Sequence, residues 1–126
     1  MKTIIQTTKA PAPIGPYNQA ILVDNTLFTS GQIALDPKTM ELVNRDIEME
    51  TTQVMKNLCE VLKAAGMGFA NVVKATIYLA DMVDFSRVNE VYGGYFNDDD
   101  APARETVQVA QLPKNVRVEI SVIAIL

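Results

Sequence analysis

The ten residues from Val116 to Ile125 constrain the fold more than any other stretch, because they alternate like a strand and neither face is wholly polar. Val116, Val118, Ile120, Val122 and Ala124 form one continuous apolar face, while Arg117, Glu119, Ser121, Ile123 and Ile125 form the other. Successive side chains of a strand point to opposite sides of a sheet, so the first face belongs on a core. The second face starts polar and ends apolar. A solvated face does not ordinarily carry Ile123 and Ile125 in series, whereas mixed aliphatic and charged faces are typical of subunit contacts. We therefore expect a sheet covered on one side by its own chain and on the other by further copies, in a homo-oligomer with polar groups at its seams.

The remaining elements follow from periodicity and breakers. Thr3 to Thr7 has strand character, and Pro11, Pro13, Gly15 and Pro16 then force an ordered loop that leads into Tyr17. Gln19 to Val23 and Thr26 to Ile33 are rich in β-branched, leucine and aromatic residues, and Asp24-Asn25 between them suits a two-residue hairpin turn. Leu35 to Thr39 reads as a turn. From Asp46 to Ala65, Ile47, Thr51, Val54, Met55, Leu58, Val61, Leu62 and Ala65 recur at spacings of three and four, which predicts a helix ended by Gly66. Val73 to Leu79 alternates as a strand. Asp84 is expected to cap a second helix carrying Phe85, Val88, Tyr92, Tyr95 and Phe96, ended by the loop at Asn97 to Asp100. Strands near Glu105 to Val109 and Val116 to Ile125 close the chain, for an order β-ββ-α-β-α-ββ. Two helices cover only one face of such a sheet.

The chain length of 126 residues suits one domain spanning 1–126. The sequence holds no histidine, which removes imidazole triads, imidazole metal ligands and the usual neutral-pH base together. Catalysis would fall to carboxylate, guanidinium, hydroxyl, backbone or water. A net charge of −4 offers no basic stripe for nucleic acid. No run of eighteen apolar residues is present to span a bilayer, and Met1 to Gln6 soon turns polar without the pattern of a secretory signal, so a cytoplasmic protein is expected. The single cysteine, Cys59, lies on or beside the apolar helical stripe and reads as a small core residue. Asp98-Asp99-Asp100 lacks the spaced ligands of a calcium loop, and Gly93-Gly94 does not follow a strand as a phosphate loop would.

Arg104 and Glu119 are the candidates for chemistry. Arg104 follows Pro102-Ala103 at a strand entrance, where a guanidinium can grip a planar carboxylate through two parallel hydrogen bonds; pairing with Asp98, Asp99 or Asp100 is the plain alternative. Glu119 lies mid-strand, where a carboxylate is poorly suited unless it is paired, at an edge, or used; its plain partner would be Arg117. A short hairpin from Pro102 to Glu119 would bring the two candidates together. Tyr17 reads as a packed ring and Ser30-Gly31 as a bulge late in a strand unless a site employs them.

Ile14-Gly15-Pro16-Tyr17, Ser30-Gly31-Gln32, Val88-Asn89-Glu90-Val91-Tyr92, Pro102-Ala103-Arg104 and Leu112-Pro113-Lys114 leading to Val118-Glu119-Ile120 together resemble the RidA/YjgF family, from about Ile14 to the C-terminus. The resemblance implies a chorismate-mutase-like α+β fold of the bacterial trimeric type, with two helices on one face of a mixed sheet, and a homotrimer with clefts between subunits. It implies hydrolysis of reactive enamines and imines, such as 2-aminoacrylate, 2-iminopropanoate and 2-iminobutanoate, to 2-oxo acids and ammonia, a form of metabolite damage control that needs no cofactor or metal. By position, Arg104 would hold the substrate carboxylate. Glu119, with the backbone carbonyl near Thr106, would position and deprotonate water, and Tyr17, Ser30, Gly31 and Asn89 would shape the pocket. The cleft would then be shared by two subunits rather than built by one hairpin. Thr106 stands where many relatives have cysteine, Glu105 where a small residue is usual, and Ser121 where a second glutamate is common. A carboxylate beside Arg104 would neutralise it if both side chains turned the same way, and strand alternation argues that they turn apart. The alternatives are a non-catalytic protein that binds or senses 2-oxo acids through the same cleft and, from relatives of those kinds, a ribonuclease, translation inhibitor or chaperone.

Overall fold

In a computed structural model, which describes residues 1–126, six strands form one mixed sheet and two helices lie on one of its faces. The strands are β1 (Lys2–Ile5), β2 (Ala20–Val23), β3 (Thr26–Thr29), β4 (Val72–Leu79), β5 (Ala103–Gln108) and β6 (Val118–Ile125); the helices are α1 (Ile47–Ala64) and α2 (Phe85–Gly93). The expected element order is the observed one. The sheet runs β1-β2-β3-β6-β4-β5, antiparallel throughout except for the β4–β5 pair.

Local chemistry accounts for the elements. Asp24, at φ 52°, and Asn25 close the β2–β3 hairpin between paired Val23 and Thr26. Asp46 caps α1 by accepting from the Met49 amide at 2.8 Å. At the other end Gly66, at φ 74°, turns the chain while its amide and that of Met67 donate to the Lys63 and Leu62 carbonyls. The apolar stripe of α1 is wholly buried against Ala75, Ile77, Leu79 and the apolar face of β6. Each fully buried leucine or isoleucine there contributes about 1.5–3 kcal/mol.

Three expectations are corrected. Asp84 makes no side-chain cap; Asp81 does so instead, accepting from the Val83 amide at 2.9 Å and starting a 3₁₀ turn ahead of α2. The helix α2 ends at Gly93, because two consecutive glycines weaken the next turn, so Tyr95 and Phe96 pack from beyond it rather than within it. Pro102 to Glu119 is no hairpin: β5 pairs parallel with β4, and β4 separates it from β6.

Two polar devices fix the entrances to the sheet. Glu50, fully buried on α1, accepts from the Arg117 backbone amide at 2.7 Å and from Arg117 Nε at 2.8 Å, while Arg117 Nη2 donates to the Asn44 carbonyl at 2.9 Å. Asn57, also on α1, donates to the Ile33 and Leu35 carbonyls at 3.1 and 3.0 Å and so anchors the segment after β3. The face away from the helices carries Phe28 paired with Ile123, together with Ile125, and Phe28 and Ile125 are 46% and 45% exposed.

Glu50→Ala removes the buried acceptor of the Arg117 amide and Nε, while the Arg117 side chain is partly exposed to solvent. It is expected to lower unfolding stability by about 1–3 kcal/mol in urea denaturation, against a change below about 1 kcal/mol for Lys63→Ala at the exposed pair with Glu60.

Candidate functional site

A bulge builds one half of the site. Between the pairs Phe28–Ile123 and Gln32–Ile120, four steps along the first strand oppose three along β6. The Thr29 hydroxyl fills the interrupted ladder, accepting from the Val122 amide at 2.9 Å and donating to its carbonyl at 3.3 Å. The bulge falls at Ser30-Gly31, as the sequence suggested, and brings Gly31 over β6 on the open face. Ser30 is held by its hydroxyl on the Asn18 carbonyl at 2.5 Å.

Gly31 faces Glu119 so closely that a Cβ there would lie 2.0 Å from Glu119 Oε2 and 2.7 Å from Cδ. The Glu119 carboxylate is half-buried and has no hydrogen bond or ion pair within the chain. Arg117, its expected partner, is engaged by Glu50 instead. Burial pushes the Glu119 carboxyl above the usual glutamate range.

Glu119, Gly31, Ser30 and Tyr17 line a cleft of about 600 Å³, with Ile14 and Lys114 on its walls. The proline-rich loop bearing Tyr17 is fastened by buried Gln19, which accepts from the Thr7 amide at 2.8 Å and donates to the Thr7, Ala10 and Pro11 carbonyls. Tyr17 is half exposed, and its hydroxyl accepts from the Ile14 amide at 3.3 Å. Lys114 reaches the cleft from a left-handed turn, at φ 56° and ψ 22°.

The other half lies on the opposite face. Arg104 pairs with Ala75 across β5 and β4 and points to the helix side, where Nη1 donates to Asn89 Oδ1 at 2.6 Å. No aspartate forms an ion pair with it, so the alternative with Asp98, Asp99 or Asp100 is set aside. Its guanidinium stacks 5.0 Å from the Tyr92 ring centre and 5.7 Å from that of Phe85. Thr106, two residues on along the same face, buries its hydroxyl without a partner. Glu105 turns the other way, onto the open face, where it meets Lys74 Nζ at 3.0 Å and accepts from the Thr76 hydroxyl. Those contacts, the Thr76 hydrogen bond foremost, hold the Glu105 carboxyl below its usual range and away from Arg104.

The predicted residues thus fall into two groups, Tyr17, Ser30, Gly31 and Glu119 on the open side and Asn89, Arg104 and Thr106 on the helix side. One copy of the chain does not bring them together. Asn89 orients Arg104 and does not line the Glu119 cleft. The aromatic neighbours of Arg104 were legible only as core positions, although Phe85, Asn89 and Tyr92 share a helical face. No group of three His, Cys, Asp or Glu side chains is placed to hold a metal ion, and no helix is long and apolar enough to cross a membrane.

A family model described as Endoribonuclease L-PSP matches residues 7–126. The chain belongs to the RidA/YjgF family. It is 54% identical over 125 residues to the 2-iminobutanoate/2-iminopropanoate deaminase of Mus musculus, covering 99% of this chain and 92% of that one. A structure of the conserved Rid protein family from Yersinia pestis matches with a TM-score of 0.96 at 46% identity, covering 100% of both chains. E. coli TdcF with bound serine matches at 0.92 and 39% identity, covering 98% of both. The two helices on a mixed six-stranded sheet are thus the chorismate-mutase-like α+β fold of these Rid proteins.

Because the atoms nearest Gly31 belong to a flexible side chain, a methyl group there displaces Glu119 rather than backbone. Gly31→Ala is expected to change stability by less than about 1 kcal/mol while moving the Glu119 titration, followed by carboxyl carbon NMR, down towards an ordinary glutamate. An unmoved titration would show that contact with Gly31 does not set the environment of Glu119.

Proposed function

We propose that this Rid protein hydrolyses 2-imino acids and their enamine tautomers, 2-iminopropanoate and 2-iminobutanoate among them, to 2-oxo acids and ammonia. The observation that carries the reading is a pair of unspent charges. Arg104 has no anionic partner and Glu119 no donor, yet both are held in place by their surroundings. The name of the mouse relative and the serine bound to TdcF, an amino acid with a carboxylate, support it.

The open sheet face and the separation of the two groups support a homotrimer in which Glu119, Gly31, Ser30 and Tyr17 of one copy face Arg104, Asn89 and Thr106 of the next. The substrate carboxylate binds Arg104. Glu119, in its ionised form, takes a proton from a water held also by a backbone carbonyl near Thr106 on the outer edge of β5. The water oxygen adds to C2 of the imine, and the C=N electron pair moves to nitrogen. The resulting amino alcohol loses ammonia after proton transfer to nitrogen, and C=O forms at C2. An enamine first accepts a proton at C3 to become the imine. An imine carbon is already electrophilic, so orientation and modest base assistance suffice.

Ammonia release from imino acids generated in situ by an amino-acid oxidase tests the reading directly. Glu119→Gln is expected to reduce turnover about 10²–10⁴-fold. Arg104→Ala is expected to reduce kcat/KM about 10–150-fold, the equivalent of about 1.5–3 kcal/mol for a charged hydrogen bond. Because the base acts ionised, wild-type kcat/KM should fall as pH drops through the raised Glu119 value, and Glu119→Gln should lose that limb. Release no faster than in the absence of protein would sink the proposal. The description Endoribonuclease L-PSP motivates a second reading, RNA cleavage, against which the net charge of −4 weighs. RNA left intact by the purified protein would remove it.

A further inference from the structure

One face of α2 encloses the guanidinium of Arg104. Phe85, Asn89 and Tyr92 stand at positions i, i+4 and i+7 of that helix and therefore on one side of it. The two rings lie 5.7 and 5.0 Å from the guanidinium carbon, and Asn89 Oδ1 receives Nη1 at 2.6 Å. That is the only hydrogen bond the guanidinium makes, so the edge formed by Nε and Nη2 is unpartnered. Arg87, on the same helix, shows what this edge does when a carboxylate meets it: Nε lies 2.8 Å from Glu48 Oε2 and Nη2 2.6 Å from Oε1, a two-pronged contact.

We infer that Phe85 and Tyr92 are positioning residues for substrate recognition. They act as aromatic walls that, with Asn89 as a stop on Nη1, present the Nε and Nη2 edge of Arg104 to a planar carboxylate. The receptor for the substrate carboxylate is then the face of α2 as much as strand β5. This inference rests on the reading of Arg104 as the carboxylate partner. A long side chain free in solvent loses rotamer freedom on binding, and one already stacked and hydrogen-bonded loses less, so the walls act on affinity. They also keep the guanidinium turned in one direction without a protein anion that would compete with substrate. Lysine has neither the planar face nor the fork and is not expected to substitute for Arg104.

The test uses the full chain with 2-oxobutanoate, the product of 2-iminobutanoate hydrolysis, as the binding probe in calorimetry and its methyl ester as the probe without a carboxylate. Phe85→Leu and Tyr92→Leu are each expected to weaken 2-oxobutanoate binding about 5- to 30-fold. Each should raise KM for the imino acid with kcat held within about two-fold, and should leave ester binding unmoved. Tyr92→Phe, which keeps the ring, is expected to recover most of the affinity lost in Tyr92→Leu. Loss of packing alone would lower stability and the active fraction without a change confined to the carboxylate. Tyr92 is buried, so if Tyr92→Leu does not fold, Phe85→Leu at the half-buried start of α2 decides. Folded variants that bind 2-oxobutanoate as wild type does, while Arg104→Ala loses it, overturn the inference and leave the reading of Arg104 standing. Wild-type binding by Arg104→Ala overturns both.

Discussion

The arrangement depends on β4 lying between β5 and β6. Residues opposite one another across neighbouring strands share a face, so each pairing transmits a choice of side. Ala75 pairs with Arg104 on one flank and Val122 on the other, which puts Arg104 on the helix side with the core. Tyr78 pairs with Val107 and Glu119, which puts Glu119 on the open side. The cation and the carboxylate therefore stand back to back across the sheet. A slip of one residue in the β4–β6 pairing would put Glu119 on the helix side and send buried Val118, Ile120 and Val122 to the open face. Hydrophobic burial thus fixes the side on which Glu119 stands, away from Arg104, and the proposed chemistry must overcome that separation with a second copy.

The polar contacts that sharpen this register sit at its ends. Glu50 grips Arg117 at the entrance to β6, two residues before Glu119, and the Gln32–Ile120 bridge re-pairs the chain one residue after it. Between them the bulge delivers Gly31, whose missing side chain leaves the space occupied by the Glu119 carboxylate. Glu119 is in this way confined without being neutralised. Arg104 is treated alike by different means, stacked on two rings and hydrogen-bonded to an amide that carries no charge. Stability and reactivity meet in both places, since the groups that restrict motion leave the charge unspent.

Much of the fold was legible because its signals are local. The stripe of α1, the alternation in β4 and β6, the Asp24-Asn25 turn and the Gly66 stop depend on neighbours within a few residues. The end of α2 and its cap were misread because an aspartate three residues earlier takes the capping role and the glycine pair stops the helix. The supposed hairpin from Pro102 to Glu119 failed for a different reason. Proximity in sequence favours antiparallel neighbours, but the parallel β4–β5 pairing, reached through α2, claims the place beside β4. Alternation did place Glu105 correctly, away from Arg104. Arg117 and Glu50, 67 residues apart, left no pattern a linear reading could detect. The aromatic surroundings of Arg104 were visible as residues but not as a function, since a core stripe and a guanidinium slot have the same spacing.

Arg104 of one copy and Glu119 of another are proposed to act on one substrate. Mixing Arg104→Ala and Glu119→Gln proteins in equal amounts, allowing subunits to exchange, and measuring ammonia release from an imino acid tests this. In a closed ring with each site between neighbours, random mixing puts the two intact residues across one interface in about four, so activity should return to about a quarter of wild type. Activity no higher than the mean of the two parent variants, with exchange demonstrated, would contradict the account.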